Sequence, residues 1–244
     1  MRDSLRAVAA AVLSALALGA SRAAGGGPPL VMLDPGHTAS SPGAIGVRGT
    51  PEVEYNDALV AVLAPRLVRA GFRVEVTRAP GEELDLPGRA ARATSRGAWL
   101  LLSIHHDSAQ PRFLERLERG GRPAYRATRP IRGYALFVSE RNPEARASLR
   151  AAVALGRRLL ALGRPPTLHH AEPIPGEGRV LLDRQLGIYR FDELAVLRRA
   201  SCPAVLLEVG VLVDPVDEAY VSDPALRDAL AEAIARALVD LREE

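Results

Sequence analysis

Three polar side chains able to bind a metal or transfer a proton follow an apolar stretch of the sequence. The segment LLSIHHDSAQ, residues 101–110, begins as a buried strand would and then presents His105, His106 and Asp107. Open α/β folds place their sites at the carboxyl ends of such strands. A second histidine, His37, follows the apolar run LVML and the turn-forming residues Asp-Pro-Gly. If the two strands are close in one sheet, His37 and His105 can reach a common point.

A zinc site built on two histidines needs a third ligand, and a carboxylate is a common choice. Three acidic residues lie between the histidines at the start of the first predicted helix: Glu52, Glu54 and Asp57. Acidic residues are also favoured in a first helical turn because they interact with the helix dipole. Spacing alone therefore leaves the choice among the three open.

Glu208 lies inside the apolar run PAVLLEVGVLV, residues 203–213. A buried carboxylate without a partner costs several kcal/mol, so it must pair, take up a proton or face a site. One interpretation is a structural salt bridge with an arginine. The other is a general base that acts on a water molecule beside a metal.

Apolar runs alternate with amphipathic segments along the chain, a pattern typical of α/β proteins. The sequence predicts an α/β fold in a single domain, with a mostly parallel twisted sheet of about six strands flanked by helices. The expected strands lie at 30–34, 72–77, 98–104, 133–139 and 203–209, and the expected helices at 56–71, 86–97, 143–163 and 223–244.

Two long segments do not fit this alternation. Residues 111–132 are rich in arginine and show no clear strand, and residues 164–193 are rich in Pro and Gly and contain His169 and His170. Long irregular loops in a compact domain are usually functional. We therefore expect both segments to form walls of the site; His169 and His170 could equally be surface residues.

The first 23 residues have the layout of a secretory signal peptide: a charged start, an apolar run from Ala7 to Ala20, and small residues at Ser21 and Ala23. The run is too short to span a bilayer, which needs about 20 residues. Cleavage after Ala23 would remove three Arg and one Asp and lower the net charge from +3 to +1. This small charge argues against nucleic-acid binding. Cys202 is the only cysteine, and it is expected to be a buried, unreactive thiol.

Several motifs occur in an order that resembles the zinc-dependent N-acetylmuramoyl-L-alanine amidases of the type-3 family. These are LDPGH, PGAIG, a glutamate four residues before Asn56, VTR, SIHHDS and PAVLLEVG, and the similarity extends from about Leu30 to Leu241. The usual GHGG is GHTA here, and the usual leucine after the asparagine is Asp57.

The resemblance implies a role for each of the candidate residues. The zinc ligands would be His37, Glu52 and His105, with Glu208 as the catalytic glutamate. His106, Asp107, Asn56 and His170 would support the ligands or contact the substrate. Neighbouring strand residues point to opposite faces, so only one of His105 and His106 can face the metal, and the resemblance implies that it is His105.

The family's reaction is the zinc-dependent hydrolysis of the amide between N-acetylmuramic acid and L-alanine of the peptidoglycan stem peptide. The resemblance implies a catalytic domain at residues 28–243 that acts on peptidoglycan or muropeptides in the periplasm or outside the cell. No nucleic acid and no stable membrane span after signal cleavage are expected. The alternatives are a zinc amidase for another peptide or acyl amide, and a peptidoglycan-binding module without activity.

Overall fold

A seven-stranded sheet forms the centre of the computed structural model, which describes residues 27–244. The predicted signal peptide therefore lies outside the described residues. The strands of the whole described chain, in order, are β1 (Leu30–Pro35), β2 (Arg73–Val76), β3 (Leu100–Asp107), β4 (Leu114–Arg119), β5 (Arg122–Ala127), β6 (Ala135–Val138), β7 (Val180–Asp183), β8 (Ile188–Arg190) and β9 (Ala204–Val211). The central sheet has the order β2-β1-β3-β9-β6-β8-β7. Within this central sheet, only the β6–β9 and β7–β8 pairs are antiparallel, so the mostly parallel sheet that the sequence predicts is confirmed.

Helices cover both faces of this sheet. They are α1 (Glu52–Arg69), α2 (Leu86–Ser95), α3 (Ala145–Ala161), α4 (Ala195–Arg199), α5 (Pro215–Ser222) and α6 (Pro224–Glu243). The start of the last helix is capped: the side chain of Asp223 accepts hydrogen bonds from the backbone N–H groups of Ala225 and Leu226, and Pro224 occupies the first turn. Among residues 27–244, no helix is long and apolar enough to cross a membrane.

Alternation along β3 sends its side chains into two separate cores. Leu102 and Ile104 pack in the larger core, with residues of α1, α3 and α6. Leu101 packs in the smaller core, with residues of α2 and α4. By the same alternation, His105 points to the α2 side of the sheet, and the next residue, His106, points to the α1 side.

The segment 111–132 differs from the prediction, because it contains the antiparallel hairpin β4–β5. Its strands are mostly exposed and carry Arg and Glu at many positions, so no apolar alternation marks them. The turn between them is Gly120-Gly121, and both glycines have positive φ, at 58° and 76°. Two-residue hairpin turns of this kind favour glycine, so this pair was the sequence signal for the hairpin.

The segment 164–193 also contains two strands that the sequence did not predict, β7 and β8. They are only four and three residues long, which is too short for a period-2 pattern to be recognised. The helices α4 and α5 were likewise not predicted, and they have five and eight residues. The strands β8 and β7 form one edge of the sheet, and α4 and α5 pack against its faces.

Candidate active site

The candidate residues lie at the carboxyl ends of three neighbouring strands. The parallel strands β1, β3 and β9 lie side by side, and the chain leaves β1 through Gly36 to His37. His105 on β3 pairs directly with Glu208 on β9. Since the three strands are parallel, their carboxyl ends meet at one edge of the sheet. The topology thus brings together residues that are up to 171 positions apart in the sequence.

Glu52, the first residue of α1, lies between the two histidines. One carboxylate oxygen, Oε2, is 3.0 Å from His37 Nε2, and the other, Oε1, is 3.0 Å from His105 Nδ1. The two imidazole rings are 5.0 Å apart, edge to face. Burial raises the pKa of Glu52, but hydrogen bonds and charge interactions with His105 and His37 outweigh it and hold the pKa well below its usual range. The carboxylate is therefore ionised.

Other groups of the protein also donate hydrogen bonds to the Glu52 carboxylate. Backbone N–H groups of Ala44 and His106 donate to it at 3.0 and 3.1 Å, and the amide of Asn56 donates at 3.3 Å. Glu54, by contrast, is exposed. Of the acidic residues that the sequence left open, Glu52 alone is placed between the histidines.

Asp57, the third acidic candidate, has a different environment. Its Oδ1 atom lies 2.8 Å from Nη2 of Arg78, an arginine whose side chain is 1% exposed. Asp57 thus faces a buried positive charge and not the two histidines. This contact with Arg78 explains why an acidic residue is tolerated at a position where the family that the sequence resembles usually has leucine.

Two glycines allow the cluster to be this close. A Cβ atom on Gly36 would overlap the imidazole of His105, and one on Gly43 would overlap Glu52 Oε2 and lie 2.8 Å from His37 Nε2. Real Cβ atoms do not approach other atoms so closely. The backbone thus leaves a space that only the histidines and the glutamate occupy. A set of two imidazoles and one carboxylate around that space is a common ligand set for zinc.

The turn that carries His37 is strained and is held by two buried arginines. His37 has a φ of 65°, which is uncommon for a residue other than glycine. Its carbonyl oxygen accepts hydrogen bonds from Arg78 Nε and Arg89 Nη2, both at 2.6 Å. Arg89 also donates to Asp34 Oδ1 at 2.7 Å, and Arg89 and Asp34 are 2% and 1% exposed. These contacts fix the direction in which the imidazole of His37 points.

His106 supports the site from the opposite face of the sheet. It is buried, and its Nδ1 atom lies 2.8 Å from Asn56 Oδ1. Asn56 in turn donates to Glu52 and to the Gly36 carbonyl. Burial lowers the pKa of His106 to about 3, so its imidazole is neutral. His106 therefore orients Asn56 and does not line the cavity.

Glu208 has a polar atom without a partner. Its Oε2 atom is buried and has no hydrogen-bond partner among the described residues. Within residues 27–244 it also makes no ion pair with an arginine. Burial, followed by the negative charges of Asp107 and Glu52, raises the pKa of Glu208 well above its usual range. The structural salt bridge that the sequence left open is absent from the described part of the chain.

Asp107 and His170 lie near Glu208 and line a cavity together with it. Asp107 Oδ2 is 2.8 Å from His170 Nε2, and His170 Nδ1 is 3.0 Å from Glu177 Oε2. Burial lowers the pKa of His170, but the carboxylates of Asp107 and Glu177 outweigh it and raise the pKa to about 9. The segment 164–193 therefore does contribute a wall near the site, as expected.

Two cavities meet at this edge of the sheet. One, of about 730 Å³, is lined by His37 and His105 together with apolar residues of α2 and α4. The other, of about 240 Å³, is lined by Glu208, Asp107 and His170. Leu194 and Leu206 line both, so the cavities are neighbours along one cleft. The hairpin β4–β5 lines neither of them and packs instead near the end of β9.

Sequence reasoning did not find the arginines that hold the His37 turn. Arg78 is part of the VTR motif, but nothing in its local pattern indicates that it is buried. Arg89 lies in the amphipathic helix α2, where an arginine is ordinarily solvated. The one available signal was Asp34, which lies near the end of a buried strand. A buried carboxylate needs a positively charged partner, and one of the arginines could have been sought for that role.

A model of the N-acetylmuramoyl-L-alanine amidase family matches residues 31–240 of the chain. The amidase AmiC of Neisseria meningitidis serogroup B is 27% identical over 219 residues, which cover 85% of this chain and 51% of that protein. The amidase AmiA of Salmonella typhimurium is 27% identical over 229 residues, covering 86% of this chain and 75% of that protein. This chain thus spans about half the length of the Neisseria relative.

Solved structures show a similar fold. The structure of Ami1 from Mycobacterium smegmatis, an N-acetylmuramyl-L-alanine amidase, superimposes with a TM-score of 0.69 at 23% identity. The match covers 89% of this chain and 99% of that one. The catalytic domain of CwlV from Bacillus (Paenibacillus) polymyxa gives a TM-score of 0.66 at 24% identity, covering 88% and 98% of the two chains.

Proposed function

The chain belongs to the N-acetylmuramoyl-L-alanine amidase family, and on that premise we propose that it hydrolyses the amide between N-acetylmuramic acid and L-alanine in peptidoglycan. The observation that carries the proposal is the convergence of His37, Glu52 and His105 beside Glu208. Two histidines and an ionised carboxylate form a ligand set, and a nearby carboxyl group outside that set can act on the reactants. A module that only bound peptidoglycan would need neither feature.

We propose that His37, Glu52 and His105 hold one zinc ion. The donor atoms fit such an ion, because the Glu52 carboxylate already lies 3.0 Å from a nitrogen of each imidazole. When bound, zinc would supply Lewis-acid activation of water and of the amide carbonyl. Asn56 and the backbone N–H groups of Ala44 and His106 would hold the Glu52 carboxylate in place, as partners of metal ligands commonly do.

Glu208 is the proposed general base and acid. It would take a proton from the attacking water and give a proton to the amine of L-alanine as the amide bond breaks. Its position supports this role, since it pairs in register with His105 and its Oε2 atom is not engaged by any described residue. In its ionised form, a carboxylate whose acid has a raised pKa is also a stronger base than an ordinary carboxylate.

The shape of the cleft suits a polymeric substrate. Cavities lie on both sides of the His105–Glu208 pair, so a chain could continue in both directions from the amide under attack. The larger cavity has apolar walls, formed in part by Leu84, Leu86 and Val196. Such walls would contact the methyl-bearing and methylene-bearing parts of a stem peptide or lactyl group.

The decisive experiment is mass spectrometry of purified peptidoglycan after digestion. The proposal predicts stem peptides with a free L-alanine amino group and glycan strands with unsubstituted lactyl groups. The matched control is Glu208→Gln, which keeps the size of the side chain and removes its basicity, and which should be about 10²–10⁴-fold slower. Release of other fragments would favour another amide as substrate. Binding to peptidoglycan without any release would favour the inactive binding module.

We also propose that the mature chain begins near Ala24 and acts in the periplasm or outside the cell. The signal-like pattern of residues 1–23 and the location of the substrate support this. N-terminal sequencing of the protein from the extracytoplasmic fraction tests it, and a cytoplasmic protein that keeps Met1 would contradict it.

A further inference from the structure

A second group of two histidines and one carboxylate lies beside the proposed zinc site. The residues are Asp107, His169 and His170, and their ligand atoms lie within 4.8 Å of one another. Asp107 Oδ2 is 2.8 Å from His170 Nε2 and 3.3 Å from His169 Nε2. The composition matches that of the first group, in which one carboxylate likewise lies between two imidazoles.

The other nitrogen of each imidazole is already held by the protein. His169 Nδ1 lies 2.8 Å from the hydroxyl of Thr167, and His170 Nδ1 lies 3.0 Å from the carboxylate of Glu177. Histidines that bind metals commonly have their second nitrogen engaged in this way, which fixes the ring and its tautomer. Both Nε2 atoms are thereby directed toward the same oxygen of Asp107.

The Nε2 atom of His169 has no hydrogen-bond partner among residues 27–244, although the side chain is only 6% exposed. It lies near Asp107, but its geometry does not make a hydrogen bond. A buried ring nitrogen without a partner costs free energy. An ion pair of Asp107 and His170 alone would not require a second imidazole beside it. Nevertheless, the ring centroids of His169 and His170 are only 3.9 Å apart.

We propose that Asp107, His169 and His170 form a second binding site for a divalent transition-metal ion, of which zinc is the best match. Imidazole and carboxylate donors suit zinc. The histidines come from a short 3₁₀ turn, His169–Ala171, in the segment 164–193, whereas Asp107 ends β3. The ion therefore ties this segment to the central sheet.

The second site also shares a cavity with Glu208. Asp107, His170 and Glu208 all line the smaller cavity of about 240 Å³. An ion there would add positive charge close to the carboxyl groups of Asp107 and Glu208, in a wall that also contains Arg179. The site goes beyond the proposed amidase reaction, and its existence does not depend on that reaction.

The test is the zinc content of the protein and of three variants. Each is stripped with a chelator, dialysed against zinc and then against buffer, and measured by inductively coupled plasma mass spectrometry. The key variant is His169→Asn. An asparagine amide can occupy the place of the imidazole Nδ1 and keep the contact with Thr167, while Nε2 is lost. His37→Ala removes a ligand of the first site, and the third variant combines both changes.

The proposal predicts two zinc ions in the unchanged protein, one in each single variant and none in the double variant. One ion in the unchanged protein, kept in His169→Asn and lost in His37→Ala, overturns the second site and leaves the first intact. One ion that is lost in His169→Asn and kept in His37→Ala supports the second site and contradicts the proposed first one. Circular dichroism of each variant shows that it is folded, so that a loss of zinc reports on the ligands.

Discussion

Replacement of Arg89 by methionine tests how strongly the fold of the His37 turn depends on one buried cation. The side chain of Arg89 is 2% exposed and donates to Asp34 Oδ1 and the Pro35 carbonyl, both at 2.7 Å, and to the His37 carbonyl at 2.6 Å. Methionine fills much of the same volume but cannot donate. Asp34 would then be a buried carboxylate with only the hydroxyls of Thr77 and Ser103 as donors.

The expected loss follows from these contacts. Removal of one partner from a buried ion pair costs about 3–5 kcal/mol, because the other charge stays buried without compensation. For a domain of this size, 1 kcal/mol corresponds to a change of about 2–4 °C in melting temperature. Arg89→Met should therefore lower the melting temperature of the metal-free protein by about 6–20 °C. It should also weaken zinc binding at His37 by about 10–100-fold, the usual effect of losing a supporting contact.

Thermal unfolding followed by circular dichroism measures the first effect, and zinc competition with a chromophoric chelator measures the second. The matched control is Arg96→Met, since Arg96 pairs with Glu75 on the surface, at 2.6 Å and with 54% of the arginine exposed. An exposed pair contributes little to stability, so this control should unfold close to the unchanged protein. Adding Asp34→Asn to Arg89→Met should recover part of the lost stability. Equal melting temperatures and equal zinc affinities of Arg89→Met and Arg96→Met would contradict a special role for the buried Arg89.

The remaining predictions concern the ligands, the metal and the cysteine. Glu52→Ala should lower the zinc content by one ion per chain, whereas Glu54→Ala, at an exposed position, should not change it; a reversed result would show that the ligand lies on the other face of α1. The chelated protein should keep its far-UV circular dichroism, because its core is large, and activity should return when zinc is added. Burial raises the pKa of the Cys202 thiol to about 11, so at pH 8 iodoacetamide should modify it on the order of 100-fold more slowly than in the urea-unfolded chain. That native rate should rise about tenfold per pH unit up to about pH 10, and a native rate close to the unfolded one would contradict the burial.

The inner strands β1, β3, β6 and β9 could be predicted because each is an apolar run that is largely buried on both faces. The same regularity indicated where His37 and His105 would emerge. Sequence spacing could not choose among Glu52, Glu54 and Asp57, because all three lie in the first turns of one helix. The choice depends on which of them faces the histidines, and that is set by the packing of α1 against the sheet.

The second histidine group could not be predicted from spacing. His169 and His170 are more than sixty positions from Asp107, and they lie in an irregular segment that has no periodicity from which their position could be predicted. The hairpin β4–β5 was missed for a related reason. Its strands bury little, so hydrophobic alternation, which is the main signal for a strand, is absent from them.

The pairing of β3 with β9 has a consequence for the order in which the protein folds. His105 and Glu208 are neighbours in the sheet although 103 positions separate them. Contacts so distant in sequence form late, because the entropy of closing the long loop must be overcome first. β9 is also the last strand of the sheet to leave the ribosome or a translocation channel. His37, Glu52 and His105 can come together earlier, but Glu208 joins them only when nearly the whole chain has emerged. A nascent or truncated chain that ends before residue 204 therefore lacks the proposed proton-transfer group and the centre of its sheet, so activity and completion of the fold arise in the same step.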